Sequence, residues 1–367
     1  MTNSISPSLD GFHARLAALG WDADFARDFA PYQAQGRTPA RVVAEHRGRY
    51  VVAAEDGERA ASLAGRLRHR ARGREDLPAT GDWVALGTGD DGAAAIHAVL
   101  PRRSAFVRKA AGETTEAQVM AANVDAALIA TALPADLSER RIERYLAMAW
   151  ESGAVPVVVL TKADLAEDVE SALRAVRGVA PGVDVVAVSS VSGEGVDALG
   201  RWLRPGRTAV LLGSSGVGKS TLANRLMDAT TMRTSGVRGD GRGRHTTTHR
   251  QLLRLAGGAL LIDTPGLREL QLWTADTGLD ATFADVEALA NRCRFGDCGH
   301  GVEPGCAVRA AVESGALDPE RLESWLRLRR ELAWLATRQD QAAAAEERAR
   351  VRGLSKAQRI HQRNKYG

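Results

Sequence analysis

Hydrophobic and polar positions change their spacing three times along the chain. Residues 1–37 read as a short helical lead, in which "ARLAALGW" carries helically spaced apolar positions and ends at a glycine turn. From 38 to 110 the apolar runs are short and rich in β-branched residues. Arg-Gly and Asp-Gly turn signals break them in "RVVAEHRGRYVVAAEDG", and "LAGRLRHRAR" and "GDWVALGTGDDGAAAIHAVLP" continue the pattern. Several short strands at close spacing predict a small β-barrel. From about 118 longer apolar runs at 124–133, 155–160, 183–190, 208–213 and 258–263 alternate with amphipathic segments such as 138–153 and 168–178. Buried strands alternating with helices predict a parallel sheet covered on both faces. After 275 the pattern turns helical, with apolar spacing of three to four over 319–350.

The predicted organisation is a helical lead (1–37), a barrel (38–110), an α/β domain (111–275), a helical domain (276–345) and a basic tail (346–367). No apolar run approaches the ~18–20 residues that span a bilayer. The first residues lack the basic-then-apolar order of a secretory signal. The expectation is a cytoplasmic monomer without a membrane partner.

Charge adds two points. The net charge of +4 is modest, but seven Lys or Arg and no acid lie between Arg348 and Gly367. With Arg66, Arg68, His69, Arg70 and Arg72 in the barrel region, this suggests a polyanionic partner. Of 49 basic residues only five are lysine, and two of those stand in "TKAD" and "GKS". Lysine kept against such an arginine bias points to sites that need a compact ammonium.

The strongest chemical motif is "GSSGVGKS", Gly213, Ser214, Ser215, Gly216, Val217, Gly218, Lys219 and Ser220, followed by Thr221. It lies between a predicted strand and a predicted helix, the setting of a phosphate-binding loop. Glycines let backbone N–H groups face phosphates, and the helix N-terminus adds positive potential. Lys219 is expected on the β- and γ-phosphates and the Ser220 hydroxyl on Mg²⁺. About fifty residues on, "LLIDTPG" places Asp263 at a strand end as a Mg²⁺ acid, with Gly266 turned toward the γ-phosphate. Between them, 234–250 is dominated by glycine and arginine and reads as a switch that nucleotide orders. Thr247 is the expected second Mg²⁺ hydroxyl within it, with Thr246 and Thr248 beside it.

"TKAD" follows the 155–160 strand. The Asp164 carboxylate can accept both N1–H and N2–H₂ of guanine, a pair adenine does not offer. Lys162 can lie along the base beside Thr161, and Ser189 and Ser190 supply a loop toward the guanine oxygen. The motif order is thus base, base, phosphate, switch, acid. A parallel sheet wired from a different start gives the same site in space, so the order predicts a circularly permuted GTP-binding domain. A separate motif, Cys293-x₄-Cys298-x-His300-x₅-Cys306, offers three thiolates and an imidazole. That donor set suits one closed structural Zn²⁺ per chain.

Taken together, "TKADL", "GSSGVGKSTL", "GRGRHTTTHR", "DTPGLREL" and "CRFGDCGHGVEPGC", in that order over roughly 38–340, resemble the circularly permuted ribosome small subunit-dependent GTPase A family. The resemblance implies an OB-fold at 38–110 and a zinc-binding helical domain at the C-terminal side. It implies GTP hydrolysis to GDP, late maturation of the 30S subunit, contact with its rRNA and stimulation by that particle. Many GTPases carry glutamine after the Gly266 position; here it is Leu267, which cannot orient water. His245 is the candidate to supply that group. Two other functions fit parts of the sequence: a nucleotide-gated RNA-binding module with negligible turnover, and a metabolic NTPase. No acceptor-substrate motif supports the latter.

Overall fold

The computed structural model describes residues 14–46, 48–89, 91–109, 117–134, 136–227, 250–263, 276–334 and 336–337. The lead forms two helices, α1 (Ala14–Ala18) and α2 (Ala23–Gln33). Asp22 caps α2 by accepting hydrogen bonds from the Asp24 and Phe25 amides, which are otherwise unpaired at a helix start. Phe25 and Phe29 of α2 and Trp21 gather around the fully buried Trp83.

Five strands follow: β1 (Thr38–His46), β2 (Arg49–Ala54), β3 (Gly57–Leu63), β4 (Trp83–Thr88) and β5 (Ala94–Val99). They pair in the order β1-β2-β3-β5-β4, and β4 returns to β1. Only β3 and β5 run parallel, as a Greek-key closure requires. This is the small closed barrel expected from the sequence, filled by Val42, Val52, Val84 and Ile96. One expectation in this region fails. "LAGRLRHRAR" continues no strand; Gly65–Arg70 is a helix, α3. Its segment lacks β-branched residues, and leucine and arginine are good helix formers.

A hairpin, β6 (Ala105–Lys109) with β7 (Ala117–Ala122), leads from the barrel into the α/β domain. There β8 (Ala126–Ala132), α4 (Glu139–Ser152), β9 (Val155–Thr161), α5 (Val169–Val179) and β10 (Asp184–Ala187) alternate. Then come β11 (Thr208–Leu212), α6 (Lys219–Met227), β12 (Arg250–Arg254) and β13 (Leu260–Asp263). The order in space is β10-β9-β8-β11-β13-β12. All pairs are parallel except β12 on β13. Every residue of β8 is buried because both faces of the sheet are covered. The strand predicted at 183–190 is shorter, and 188–190 belong to a loop. Strand β12 was not anticipated: Arg250 had been assigned to the end of the switch segment.

β12 also pairs with β1, so the barrel and the α/β sheet are continuous, eleven strands among the described residues. Arg41 of β1 seals this junction. It is buried and donates to the carbonyls of Gly81, Leu19 and Asn123 and to Thr208 Oγ1. Burial pulls its guanidinium down to about 10, still charged at neutral pH.

The C-terminal side is helical, as predicted. Helices α7 (Asp276–Thr282), α8 (Ala284–Ala290) and α9 (Ala307–Glu313) precede a helical stretch at 319–334. These helices share a core with α4 and the sheet through Phe283, Val308, Trp325 and Leu328.

Candidate functional site

Parallel strands bring their C-terminal ends to one edge, and ligands of open α/β sheets bind there. Here that edge collects the motifs. β9 ends at Thr161, the loop after β10 carries Ser189 and Ser190, β11 runs into Gly213, and β13 ends at Asp263. Segments as far apart in sequence as 161 and 263 thus share one edge of the sheet, with β8 and β11 between them.

The glycine-rich loop has the backbone its sequence demands. Gly213, Gly216 and Gly218 have φ of 133°, 83° and 91°. A side chain at Gly213 would start 2.3 Å from the Ala130 carbonyl oxygen, so the loop can leave the sheet there only as glycine. Val217 is buried against Ala130 and Ala132 and pins the loop's far side to the core. Its side chain therefore serves packing, while Ser215, Gly216, Ser220 and Thr221 remain exposed. Lys219 Nζ donates to the Gly213 carbonyl at 2.7 Å and to the Ser214 carbonyl. The ammonium is curled over the loop it would leave to meet phosphate.

The base-reading residues divide by role. Thr161 is buried and donates to the Val217 carbonyl at 2.5 Å, so it ties the "TKAD" strand end to the phosphate loop. Lys162 has left-handed backbone, φ 56°, and its Cε lies 4.0 Å from the position a Cβ on Gly218 would take. Asp164 is exposed in the short 3-10 turn Ala163–Leu165. Ser189 is fully buried; its Oγ accepts from the Ser192 amide at 3.1 Å and shapes the loop rather than facing outward. Ser190 is partly exposed. Asp263 pairs in register with Gln251. His245, Thr246, Thr247, Thr248, Gly266 and Leu267 lie outside the described residues.

One side chain that sequence reasoning missed also reaches the loop. Arg141 Nη1 donates to Ser214 Oγ at 2.7 Å. Its place on α4 is visible in sequence, but nothing there says which neighbour that face meets.

The four metal-type ligands converge. Cys293, Cys298, His300 and Cys306 place their ligand atoms within 4.8 Å of one another. Cys293 Sγ and Cys306 Sγ are 3.9 Å apart, and they lie 3.6 and 3.5 Å from His300 Nδ1. Tetrahedral bonds of about 2.3 Å to sulfur and 2.0–2.1 Å to nitrogen require edges of about 3.8 and 3.5 Å. The cluster therefore has the size to hold one metal ion. Burial, helped by the Arg329 charge, lowers the His300 pKa and favours the neutral, ligating imidazole.

On the barrel, a cleft of about 450 Å³ is lined by Tyr32, Arg37, Arg66, Arg70 and His97. Arg66 and Arg70 are two of the basic residues singled out in the sequence; α3 carries them to this cleft.

Comparison with known proteins settles the class. Residues 99–273 match the family model described as RsgA GTPase. A small ribosomal subunit biogenesis GTPase RsgA of Opitutus terrae is 49% identical over 359 residues, 95% of this chain and 98% of that one. The protein of the same name from Streptomyces coelicolor is 48% identical over 93% of each.

The chain belongs to the RsgA GTPase family.

It is accordingly a GTPase. The crystal structure of YjeQ from Thermotoga maritima superposes with a TM-score of 0.61 at 27% identity, covering 81% of this chain and 99% of that one. YloQ, titled a circularly permuted GTPase, gives 0.58 at 24% identity over 81% of this chain and 95% of its own, a likeness of fold. The permuted wiring inferred from motif order agrees with this likeness of fold. No helix among the described residues is long and apolar enough to cross a membrane.

Proposed function

We propose that this chain hydrolyses GTP as a late maturation factor of the 30S ribosomal subunit, binding that particle and its rRNA in the cytoplasm. The observation that carries the reading is the convergence of "TKAD", the 189–190 loop, the 213–220 loop and Asp263 on one sheet edge. Asp164 reads guanine, with Lys162 along the base and Ser190 near its oxygen. Thr161 and Ser189 act from behind, holding the loops in place. The amides of 214–220 and Lys219 take the phosphates. Ser220 and Thr247 would supply hydroxyls to Mg²⁺ and Asp263 a carboxylate; a bound ion there would supply positive charge against the phosphates.

Leu267 cannot orient the attacking water, so intrinsic turnover is slow. His245 is the group we assign to that task on the 30S particle. The Cys293, Cys298, His300, Cys306 cluster takes Zn²⁺ as a closed structural centre, since its four donors leave no position for substrate. GTP turnover measured with and without 30S particles tests the whole reading. Strong stimulation by the particle, reduced in His245→Ala, is expected. Equal turnover in both conditions would remove the ribosomal role, and an unchanged His245→Ala would remove the catalytic one.

A further inference from the structure

Helix α4 contacts the phosphate loop along one line of residues and the C-terminal helices along another. On the loop side, Arg141 donates to Ser214 Oγ at 2.7 Å and to Asp136 at 2.5 Å. On the other side, Glu143 accepts from Arg321 Nη1 at 2.9 Å in a buried pair, and Arg144 meets Glu331 at 2.6 Å. One turn and more further on, Glu151 accepts from Thr277 Oγ1 at 2.6 Å and from the Gly278 amide at 3.0 Å. Gly278 lies so close that a Cβ there would come within 2.1 Å of the Ala147 carbonyl oxygen. The C-terminal helices thus hold α4 along its length, by backbone as well as side chains.

We propose that Arg141 is a positioning residue for the nucleotide, and that α4 carries the docking state of the C-terminal helices to the phosphate loop. The proposal rests on reading 213–220 as that loop. Three glycines at positive φ leave the loop few backbone preferences of its own. Ser214 is the loop's tether to α4: Arg141 holds its side chain and Lys219 bonds its carbonyl, while Thr161 and the packing of Val217 hold the far side of the loop. Where α4 sits therefore bears on where Ser214 sits. A displacement of about 1 Å is enough to cost roughly a hundredfold in a preorganised site. The consequence is regulatory: whatever lifts the C-terminal helices from α4 changes GTP and GDP affinity without touching the nucleotide.

The test is a double-mutant cycle in the full-length chain, read as GDP dissociation constants. Arg141→Ala should weaken GDP roughly tenfold, the scale of a lost charge-assisted hydrogen bond, and Arg141→Lys should recover part of it. Glu331→Ala removes a surface-accessible contact on the far side of α4, so the chain still folds. It should weaken GDP roughly threefold, and that effect should vanish in a Ser214→Ala background. Additive effects of Glu331→Ala and Ser214→Ala would overturn the relay, as would an Arg141→Ala variant with unchanged GDP affinity. Lys219→Ala separates the two layers. If it abolishes binding while Arg141→Ala does nothing, the loop reading stands and this proposal falls; if Lys219→Ala binds normally, the loop reading itself fails.

Discussion

The α/β domain is joined to its two neighbours in opposite ways. Toward the barrel, the junction is backbone: β1 and β12 share a ladder at Ala44↔Gln251 and Glu45↔Arg250, and Arg41 is held mainly by main-chain carbonyls. Toward the C-terminal helices, it is largely side chains on α4: an apolar core shared with Phe283 and Trp325, rimmed by charge pairs. Arg321 alone bonds Glu143, Asp285 and the carbonyls of Val179 and Thr282. A ladder either exists or is broken, whereas buried ion pairs cost desolvation when formed and return it when water re-enters. The first junction suits a fixed platform, the second a surface that docks and lifts.

The largest expected effect comes from the Cys₃His cluster, because a metal held there would crosslink the loop before α9 to the residues after α8. Chelation, or Cys306→Ser, should unfold the C-terminal helices while leaving the barrel junction closed. Limited proteolysis should then cut after about residue 276 and leave the preceding part intact. Cleavage throughout the chain would show that the two junctions are not independent.

Next in size is Arg321→Ala. It strands Glu143, whose side chain is 2% exposed, and half-exposed Asp285, at a cost of about 3–5 kcal/mol for an uncompensated buried charge. Denaturant unfolding measures it. The two acids also give the docking surface a pH signature. Burial, outweighing the Ser324 and Arg321 contacts, raises the Glu143 pKa, so its contribution is full below its unfolded value of about 4.3 and falls as pH rises through the folded one. At Asp285 burial is outweighed by the Arg321 hydrogen bond and charge, and the pKa falls. Its contribution is present above about 3.9 and lost as pH drops. Glu143→Gln should therefore remove the loss on the rising side and leave the acid-side loss intact.

Arg41→Met comes third, at about 1–3 kcal/mol in all, the cost of a buried carbonyl left unpaired, since the Gly81 carbonyl keeps the Asn123 amide as a donor. Because it acts at the ladder, its destabilisation should add to that of Arg321→Ala; strong non-additivity would mean the junctions communicate.

Much of this division was legible in the sequence, and the exceptions share a cause. The candidate phosphate loop, guanine motif and Cys₃His cluster could be picked out because the chemistry proposed for them fixes residue type and spacing locally. The parallel sheet was legible from β8 and β9, whose unbroken apolar runs need cover on both faces. Strand β12 was not, because "RQLLR" has a single deeply buried position, Leu252, and becomes a strand only when β1 and β13 flank it. Ser189 and Thr161 were assigned to the ligand by their motifs, yet their burial turns them inward; burial is set by the packed loop, not by the motif. Arg141 looked like any surface arginine on a helix until the fold placed Ser214 beside it.

The smallest effect gives the sharpest contrast. Glu45 and Arg250 form an ion pair at 3.2 Å across the barrel junction, and both are about four-fifths buried. Arg144 and Glu331 form one at 2.6 Å across the C-terminal junction, with more exposure. By distance and charge alone the two should be similar, each within about 1 kcal/mol. They differ in what remains when they are removed. Glu45→Gln keeps the Glu45 backbone in register with Arg250, so the barrel stays seated and GDP affinity should be unchanged. Glu331→Ala leaves no ladder behind it, so the position of α4 should respond. Measured side by side, equal shifts in GDP affinity from the two variants would mean that backbone continuity does not decide how tightly a neighbour is held.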